Sequence, residues 1–270
     1  MSGGSALNVV VSASAESAEL AADALWVLGA TAVVEETAGD HVELRAALGE
    51  DEELLRTLLG PLPFAWRLER VDLAVADTWR EFACAVEVDP SMIIVPHWVD
   101  APRTDHEFRL FIEPGATFGL GNHPTTLASL RILGRLVRDG DTVLDVGTGS
   151  GVLAIAAVCR GARTAHGTDI NPASLEIVAL NAGLNAVSGR VTVGMESLDD
   201  LTGPYSIVVA NILAPTLIEL AEHLVRLTQR TLVISGLLAD RYEHVVAALA
   251  PLHIAAIEHV DGWVAIALER

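Results

Sequence analysis

Two hydrophobic spacings alternate along the N-terminal part of the chain. Apolar residues recur at helical spacing in two segments, 16–29 and 50–59. Short strand-like runs lie before, between and after these segments, at 6–12, 31–36, 41–47 and 65–73. The resulting order of strand, helix, strand, strand, helix, strand is typical of a small ferredoxin-like α/β sandwich.

From about residue 106 the pattern changes to apolar strands that alternate with helical segments. The predicted strands are 141–147, 164–170, 191–194, 205–211 and 231–236. The predicted helices are 124–138, 150–160, 172–184, 215–227 and 240–249. Apolar strands that alternate with helices favour a mostly parallel sheet covered on both faces. Asp261-Gly262 separates the last two strand-like runs and predicts a terminal antiparallel hairpin.

These patterns divide the chain into three parts. We expect an N-terminal domain over 1–73, a linker over 74–105 and a C-terminal α/β domain over 106–270. The first part shows no chemical motif, so its expected role is substrate recognition, with a purely structural role as the alternative. The prolines of 74–105 and its lack of Gly/Ser-rich stretches predict an irregular but ordered linker.

The chain is strongly acidic and contains no lysine. Its 270 residues carry a net charge of −19, and all 17 basic side chains are arginine. Direct binding to a nucleic-acid backbone is not expected, because phosphate contacts require a basic surface. A basic protein or a cationic small molecule is the better partner. Lysine chemistry, such as a Schiff base, is excluded for the side chains of this protein.

Composition also bears on location and on metal sites. No apolar run approaches the roughly 18 residues that a membrane span needs, and the N-terminus has no basic and then apolar signal sequence. Cys84 and Cys159 stand far apart, without the spacing of a zinc site or a disulfide scaffold. We therefore expect a cytoplasmic protein with no membrane association.

Three glycines follow the first strand of the parallel region. The segment 145–151 has the form Asp-x-Gly-x-Gly-x-Gly, with Gly147, Gly149 and Gly151 at a strand-to-helix turn. Glycines there let a ligand approach backbone N–H groups at the start of a helix. The spacing is not that of a dinucleotide fingerprint. Asp145 suits a cationic amino-acid group better than a pyrophosphate. A plain tight turn is the alternative.

Further polar residues end strands or precede helices. Asp169 ends the next strand, where a carboxylate can accept both hydroxyls of a ribose. Asn211 ends a later strand, and its amide can orient an amine without taking its charge. Helix capping is the alternative for both residues. His123 lies in a glycine-rich segment before a helix, but no acid or cysteine stands at ligand spacing, so no metal is expected.

Together these motifs resemble a known family. The segments 145–157, 167–185, 208–221 and 232–238 are similar to class I S-adenosylmethionine-dependent methyltransferases. FGLGNHPTT, at 118–126, resembles the FGTGTHPTT segment of the ribosomal protein L11 methyltransferases. The resemblance covers nearly the whole chain. It implies a Rossmann-like seven-stranded sheet with an antiparallel C-terminal hairpin, preceded by the small N-terminal ferredoxin-like α/β domain.

The resemblance also implies roles for individual residues. The residues that contact S-adenosylmethionine would be Thr126, Gly147, Gly149, Gly151, Asp169 and Asn211. Asn211 would also stand beside the methyl group and the incoming amine, as the catalytic residue. The loop on the substrate side would contain Phe118, Leu120, Asn122 and His123.

The implied reaction is transfer of methyl groups from S-adenosylmethionine to lysine and α-amino groups of the basic ribosomal protein L11. Leu120 and Asn122 stand where the family usually has threonines, so another cytoplasmic protein or a small amine is an alternative acceptor. An alternative of another class is a cofactor-binding interaction module without catalysis. The intact glycine motif, Asp169 and Asn211 argue against that alternative.

Overall fold

The computed structural model describes residues 5–14, 17–28, 30, 32–39, 41–48, 52–72, 83–114, 121 and 123–270. The chain forms two compact units, Met1–Ala83 and Cys84–Arg270. The boundary between the units falls inside 74–105, the segment that the sequence analysis assigned to a linker. No helix in these described stretches is long and apolar enough to cross a membrane.

The N-terminal unit contains four strands and two helices in its described residues. The strands are β1 (Ser5–Ala13), β2 (Ala32–Ala38), β3 (His41–Ala47) and β4 (Ala65–Asp72). The helices are α1 (Ala18–Val27) and α2 (Glu52–Leu59). Neighbouring strands are antiparallel, in the order β2-β3-β1-β4. This is the ferredoxin-like arrangement that the sequence predicted.

One face of this sheet packs against the two helices. Val9 and Val11 alternate along β1 with residues of the other face, and both are fully buried in one cluster with Leu25 of α1. Leu55 and Leu59, one turn apart on α2, join the same cluster. A spacing of two along a strand and of four along a helix turns each apolar stripe toward this core.

A three-stranded sheet lies near the start of the C-terminal unit. Its strands are β5 (Val86–Asp89), β6 (Met92–Pro96) and β7 (Phe108–Ile112). β5 and β6 are antiparallel around a turn capped by the Asp89 carboxylate, whereas β6 and β7 are parallel. The sequence predicted an irregular segment over 74–105 and no strand at Phe108–Ile112, so all three strands correct that prediction. Pro90 and Pro96 interrupt the pattern, and β6 is buried along its whole length, so it shows no alternation.

The larger sheet of this unit has seven strands. They are β8 (Thr142–Val146), β9 (Thr164–Thr168), β10 (Val191–Gly194), β11 (Tyr205–Asn211), β12 (Thr228–Leu238), β13 (His253–Val260) and β14 (Trp263–Glu269). Their order is β10-β9-β8-β11-β12-β14-β13. β8 to β12 are parallel, and β14 is antiparallel to both of its neighbours. The predicted hairpin is confirmed, with Asp261 and Gly262 at φ of 48° and 82°.

Helices cover both faces of the seven-stranded sheet. In the described residues they are α3 (Pro124–Leu136), α4 (Val152–Cys159), α5 (Ala173–Leu184), α6 (Ala214–Glu219), α7 (Ala221–Leu227) and α8 (Glu243–Ala248). The first three pack on one face and the last three on the other. Along β8, Val143 joins the first core and Leu144 the second. The predicted helix 215–227 is in fact two helices that meet at Leu220.

Candidate functional site

Three strand ends bring the predicted site residues to one edge of the seven-stranded sheet. β8, β9 and β11 are parallel, so their carboxyl ends point the same way. Gly147 follows β8, Asp169 follows β9, and Asn211 is the last residue of β11. α3 contributes Thr126 to the same edge, with Thr126 Oγ1 3.5 Å from Asn211 Nδ2. Open α/β sheets bind ligands at this edge.

The loop between β8 and α4 has a conformation that glycine makes possible. Gly147, Gly149 and Gly151 have φ of 71°, 53° and 80°, a region that costs other residues about 1–2 kcal/mol. A Cβ on Gly147 would also lie 2.5 Å from Ile212 Cγ2. The Gly147 amide donates to the carbonyl of Thr168 at 2.9 Å, which holds the loop against the end of β9.

Asp145 stabilises this loop through buried hydrogen bonds. From the sequence, its charge was predicted to suit a cationic ligand, but the side chain is only 1% exposed. Its Oδ2 accepts hydrogen bonds from the Thr148 hydroxyl at 2.8 Å and the Ala154 amide at 3.1 Å, whereas Oδ1 is buried without a partner. Burial raises the pKa of Asp145 to about 7, and the Asp169 carboxylate adds to this rise. Asp145 therefore holds the loop in shape.

Asp169 connects the glycine loop to the loop that follows β9. Its Oδ2 accepts a hydrogen bond from the Gly149 amide at 2.7 Å, and its Oδ1 accepts one from the Asn171 amide at 2.9 Å. Each carboxylate oxygen offers a further lone pair. The half-buried side chain can therefore still accept hydrogen bonds from the hydroxyl groups of a ligand.

Ile170, the residue after Asp169, is a candidate site residue that was not predicted from the sequence. It is 95% exposed, the most exposed large apolar side chain among the described residues. It belonged to the predicted strand 164–170, but β9 ends at Thr168. The available signal was a large apolar residue directly after the acid that ends the strand. Such an exposed apolar surface beside polar groups suits the flat face of a ligand.

Asn211 and Thr126 present polar side chains next to each other. Thr126 is 1% exposed in the first turn of α3, and Asn211 is half-buried. The Ser235 hydroxyl of β12 donates to the carbonyl of Thr125 at 3.1 Å and so ties the start of α3 to the sheet. An amide has one acceptor oxygen and two N–H donors. Asn211 therefore has capacity for a ligand beyond its contact with Thr126.

His123 caps the N-terminus of α3. Its Nδ1 accepts a hydrogen bond from the Thr125 amide at 3.3 Å, and its ring centroid lies 5.5 Å from that of Trp263 in an edge-to-face contact. Burial lowers the pKa of His123, so the imidazole is neutral at pH 7. Across the described residues, no group of three or more potential metal ligands occurs. Three predicted residues of this loop lie outside the described residues: Phe118, Leu120 and Asn122.

Known proteins match most of the chain. The model of the family described as Ribosomal protein L11 methyltransferase (PrmA) matches residues 66–270. A ribosomal protein L11 methyltransferase from Bacillus cytotoxicus is 36% identical over 197 residues, which are 71% of this chain and 63% of that protein. The Bacillus cereus protein of the same name is 35% identical, with the same coverage of 71% and 63%. The chain thus spans 63% of the length of these relatives.

A solved structure agrees with the sequence matches. The crystal structure of a ribosomal protein L11 methylase from Lactobacillus delbrueckii subsp. bulgaricus superposes with a TM-score of 0.63 at 32% identity. The match covers 70% of this chain and 98% of that chain. Because the family model spans most of the chain, from residue 66 to residue 270, the chain belongs to the ribosomal protein L11 methyltransferase family.

Proposed function

We propose that this protein transfers methyl groups from S-adenosylmethionine to lysine side chains and α-amino groups of ribosomal protein L11. One observation carries the proposal: Asp169 braces the glycine loop at the same sheet edge where Asn211 ends β11. Membership of the family supports the same reaction, because the curated relatives carry the name of this activity.

The residues at this edge fit S-adenosylmethionine. Asp169 would accept hydrogen bonds from the ribose hydroxyls, and the exposed Ile170 would lie against the adenine. The glycines of the loop from Gly147 to Gly151 carry no side chains, so the ligand would approach the backbone of this loop closely. Thr126 and Asn211 would complete the site. When bound, S-adenosylmethionine supplies a reactive methyl group on a positively charged sulfur.

On the acceptor side, Asn211 would orient the incoming amine. Its amide oxygen can accept a hydrogen bond from the amine without taking up the proton. Alignment of the amine with the methyl group is positional catalysis, which needs no covalent step on the enzyme. The loop residues Phe118, Leu120, Asn122 and His123 would form the wall around the acceptor.

The proton on the acceptor amine is the remaining obstacle. An exposed lysine has a pKa of about 10.4, so a neutral amine at pH 7.4 costs about 4 kcal/mol. Neither Asn211 nor Thr126 is a base, and the neutral His123 is already the cap of α3. Partial desolvation of the lysine in the site would lower its pKa and supply the neutral form. The proposal therefore requires no strong side-chain base.

Charge supports a basic protein as the acceptor. The net charge of −19 attracts a lysine-rich partner over a distance and repels nucleic-acid phosphates. We extend the proposal to the rest of the chain: residues 1–73 recognise the ribosomal protein, 74–105 link the two parts, and 106–270 perform the transfer. The reaction would take place in the cytoplasm, with no membrane involved.

Mass spectrometry tests this function directly. The recombinant protein is incubated with purified ribosomal protein L11 from the same organism and S-adenosylmethionine. We expect L11 to gain mass in whole methyl units, and peptide mapping assigns each methyl to an amine. A parallel reaction with S-adenosylhomocysteine in place of the donor is the control and leaves the mass unchanged.

Two other outcomes would contradict the proposal in different ways. If S-adenosylhomocysteine binds by calorimetry but L11 gains no mass, the acceptor is another protein or a small amine. Leu120 and Asn122 are then the first residues to replace by threonine. If neither L11 nor any other amine is methylated while the ligand still binds, the chain acts as a binding module instead.

A further inference from the structure

Asn181 of α5 and Asn185, which directly follows α5, cap the free edge of β7. β7 is the last strand of its sheet, and its even-numbered residues bond to β6, as the Ile112 carbonyl does with the His97 amide. The backbone N–H and C=O groups of the odd-numbered residues therefore point away from β6. Asn185 meets one of them: its Oδ1 accepts from the Phe111 amide at 2.9 Å and its Nδ2 donates to the Phe111 carbonyl at 2.7 Å. The side chain thus pairs with the strand as a neighbouring strand would.

Asn181, one helical turn earlier, makes the same pair with Glu113. Its Oδ1 accepts from the Glu113 amide at 2.8 Å, and its Nδ2 donates to the Glu113 carbonyl at 2.8 Å. The four-residue spacing along α5 matches the two-residue spacing along the strand, because both are about 6–7 Å. The two amides form a short ladder that fixes β7 against α5.

Asn181 differs from Asn185 in one contact. Its second N–H donates to the carbonyl of Ser150, inside the glycine loop, at 2.8 Å. Asn185 instead donates to the Asn181 carbonyl in its own helix at 2.8 Å. The Asn181 side chain is completely buried, so these bonds are made without competition from water.

We propose that Asn181 is a positioning residue that couples the glycine loop to the end of β7. Glu113 directly precedes, in the sequence, the segment 114–126 that leads to Thr126. Asn181 therefore bonds to the glycine loop, which on the proposed function holds S-adenosylmethionine, and to Glu113, the residue before the segment that is proposed to face the acceptor. Its hydrogen bond to the Ser150 carbonyl fixes the position of the glycine loop relative to β7.

The proposal predicts different effects for two matched variants. Asn181→Ala and Asn185→Ala each remove a two-point contact with β7, so both lower the melting temperature. Only Asn181→Ala frees the glycine loop. We expect it to weaken binding of S-adenosylhomocysteine by about tenfold, the value of one buried hydrogen bond that orders the loop. Asn185→Ala is expected to change this affinity by less than about twofold.

The experiment combines calorimetry with hydrogen exchange on the full chain. Calorimetry with S-adenosylhomocysteine gives the affinity of each variant below its melting temperature. Hydrogen exchange without any ligand measures the exchange rates of the backbone amides in the segment 147–155. We expect these amides to exchange faster in Asn181→Ala than in Asn185→Ala. If Asn181→Ala does not fold, Asn181→Gln replaces it, since the longer amide keeps both kinds of hydrogen-bonding group but displaces them from Ser150.

The outcomes separate this proposal from the function itself. Equal loss of affinity and equal exchange in the two variants would overturn the positioning role and leave a structural one. If the wild-type protein binds no S-adenosylhomocysteine, the proposed function fails. The exchange data then still decide whether Asn181 holds the loop.

Discussion

The carboxylate of Asp169 accepts a hydrogen bond of 2.7 Å from the backbone amide of Gly149. This bond joins the loop after β8 to the loop after β9, two segments that the sequence separates by a complete helix. The carboxylate oxygen that braces the loop also has a free lone pair for a ligand. Binding of a ribose at Asp169 and the shape of the glycine loop are therefore linked.

Replacing Asp169 tests this link. Asp169→Ala removes both the brace and the acceptor for the hydroxyl groups, and hydrogen bonds to charged groups are worth about 1.5–3 kcal/mol. We expect affinity for S-adenosylhomocysteine to fall at least about tenfold by calorimetry. Asp240→Ala removes a carboxylate that is 76% exposed and serves as the charge-matched control. Unchanged affinity in Asp169→Ala would exclude Asp169 from the binding site.

Asn211 is expected to act on the methyl transfer rather than on ligand binding. Asn211→Ala removes the amide that would align the amine, and positional errors at a reacting centre cost about 100-fold in rate. The affinity for S-adenosylhomocysteine should change much less, because Asp169 and the glycine loop remain. Steady-state kinetics with L11 gives kcat, and calorimetry gives the affinity. A variant with wild-type kcat would rule out this role.

Much of the fold could be predicted because single segments carry their own signal. The predicted strands 191–194 and 205–211 have the bounds of β10 and β11. Apolar runs that alternate with helices indicate a parallel sheet even when it is not known which strands pair with each other. The strands β5 to β7 are different, because prolines interrupt the pattern around them and contacts from distant segments order them. Arg160 at the end of α4, for example, pairs with Asp89 at the end of β5.

The site could be predicted in part for a related reason. Glycine loops and strand-end polar residues are visible in the sequence, and the topology of a parallel sheet brings them to one edge. Their roles stay predictions. Asn181 could not be found this way, because an asparagine within a helix normally lies at the surface. Only the packing of α5 against β7 shows that Asn181 is fully buried and bonded to Ser150.

Gly147 provides a test of the tight loop. Gly147→Ala would put an alanine at a position with a positive φ and would place its Cβ 2.5 Å from Ile212 Cγ2. Gly140→Ala is the matched control, because Gly140 also has a positive φ of 87° but nothing lies within 4 Å of its Cβ position. We expect a stability loss of about 1–2 kcal/mol for Gly140→Ala and about 1–3 kcal/mol more for Gly147→Ala.

Urea unfolding measures both losses. The stability loss caused by Gly147→Ala should be smaller in an Ile212→Ala background than in the wild-type background. Ile212→Ala removes the methyl group that the new Cβ would meet. Equal losses for the two single variants would mean that the loop moves aside without cost. The close approach of Gly147 to Ile212 would then play no part in shaping the site.

Asp145 makes the stability of the protein depend on pH in an unusual direction. Burial raises the pKa of Asp145 to about 7, whereas an unfolded chain has an aspartate pKa of about 3.9. Between these values the folded protein holds a proton that the unfolded chain has released. The stabilising contribution is therefore complete below about pH 4 and is lost as the pH rises through about 7.

Asp145→Asn should remove this dependence. Its amide oxygen keeps an acceptor for Thr148 and Ala154, and no proton is exchanged. The wild-type protein should lose up to about 1.4 kcal/mol of stability per pH unit between about pH 5 and 7 relative to this variant. Asp141→Asn is the control: the Arg230 guanidinium bonds Asp141, whose pKa lies below its usual range, so its contribution is lost only as the pH falls into the acid range. Parallel stability curves for wild type and Asp145→Asn, measured by urea unfolding at each pH, would show that Asp145 is ionised in the folded protein. The carboxylate would then need a partner for its buried Oδ1, which has none among the described residues.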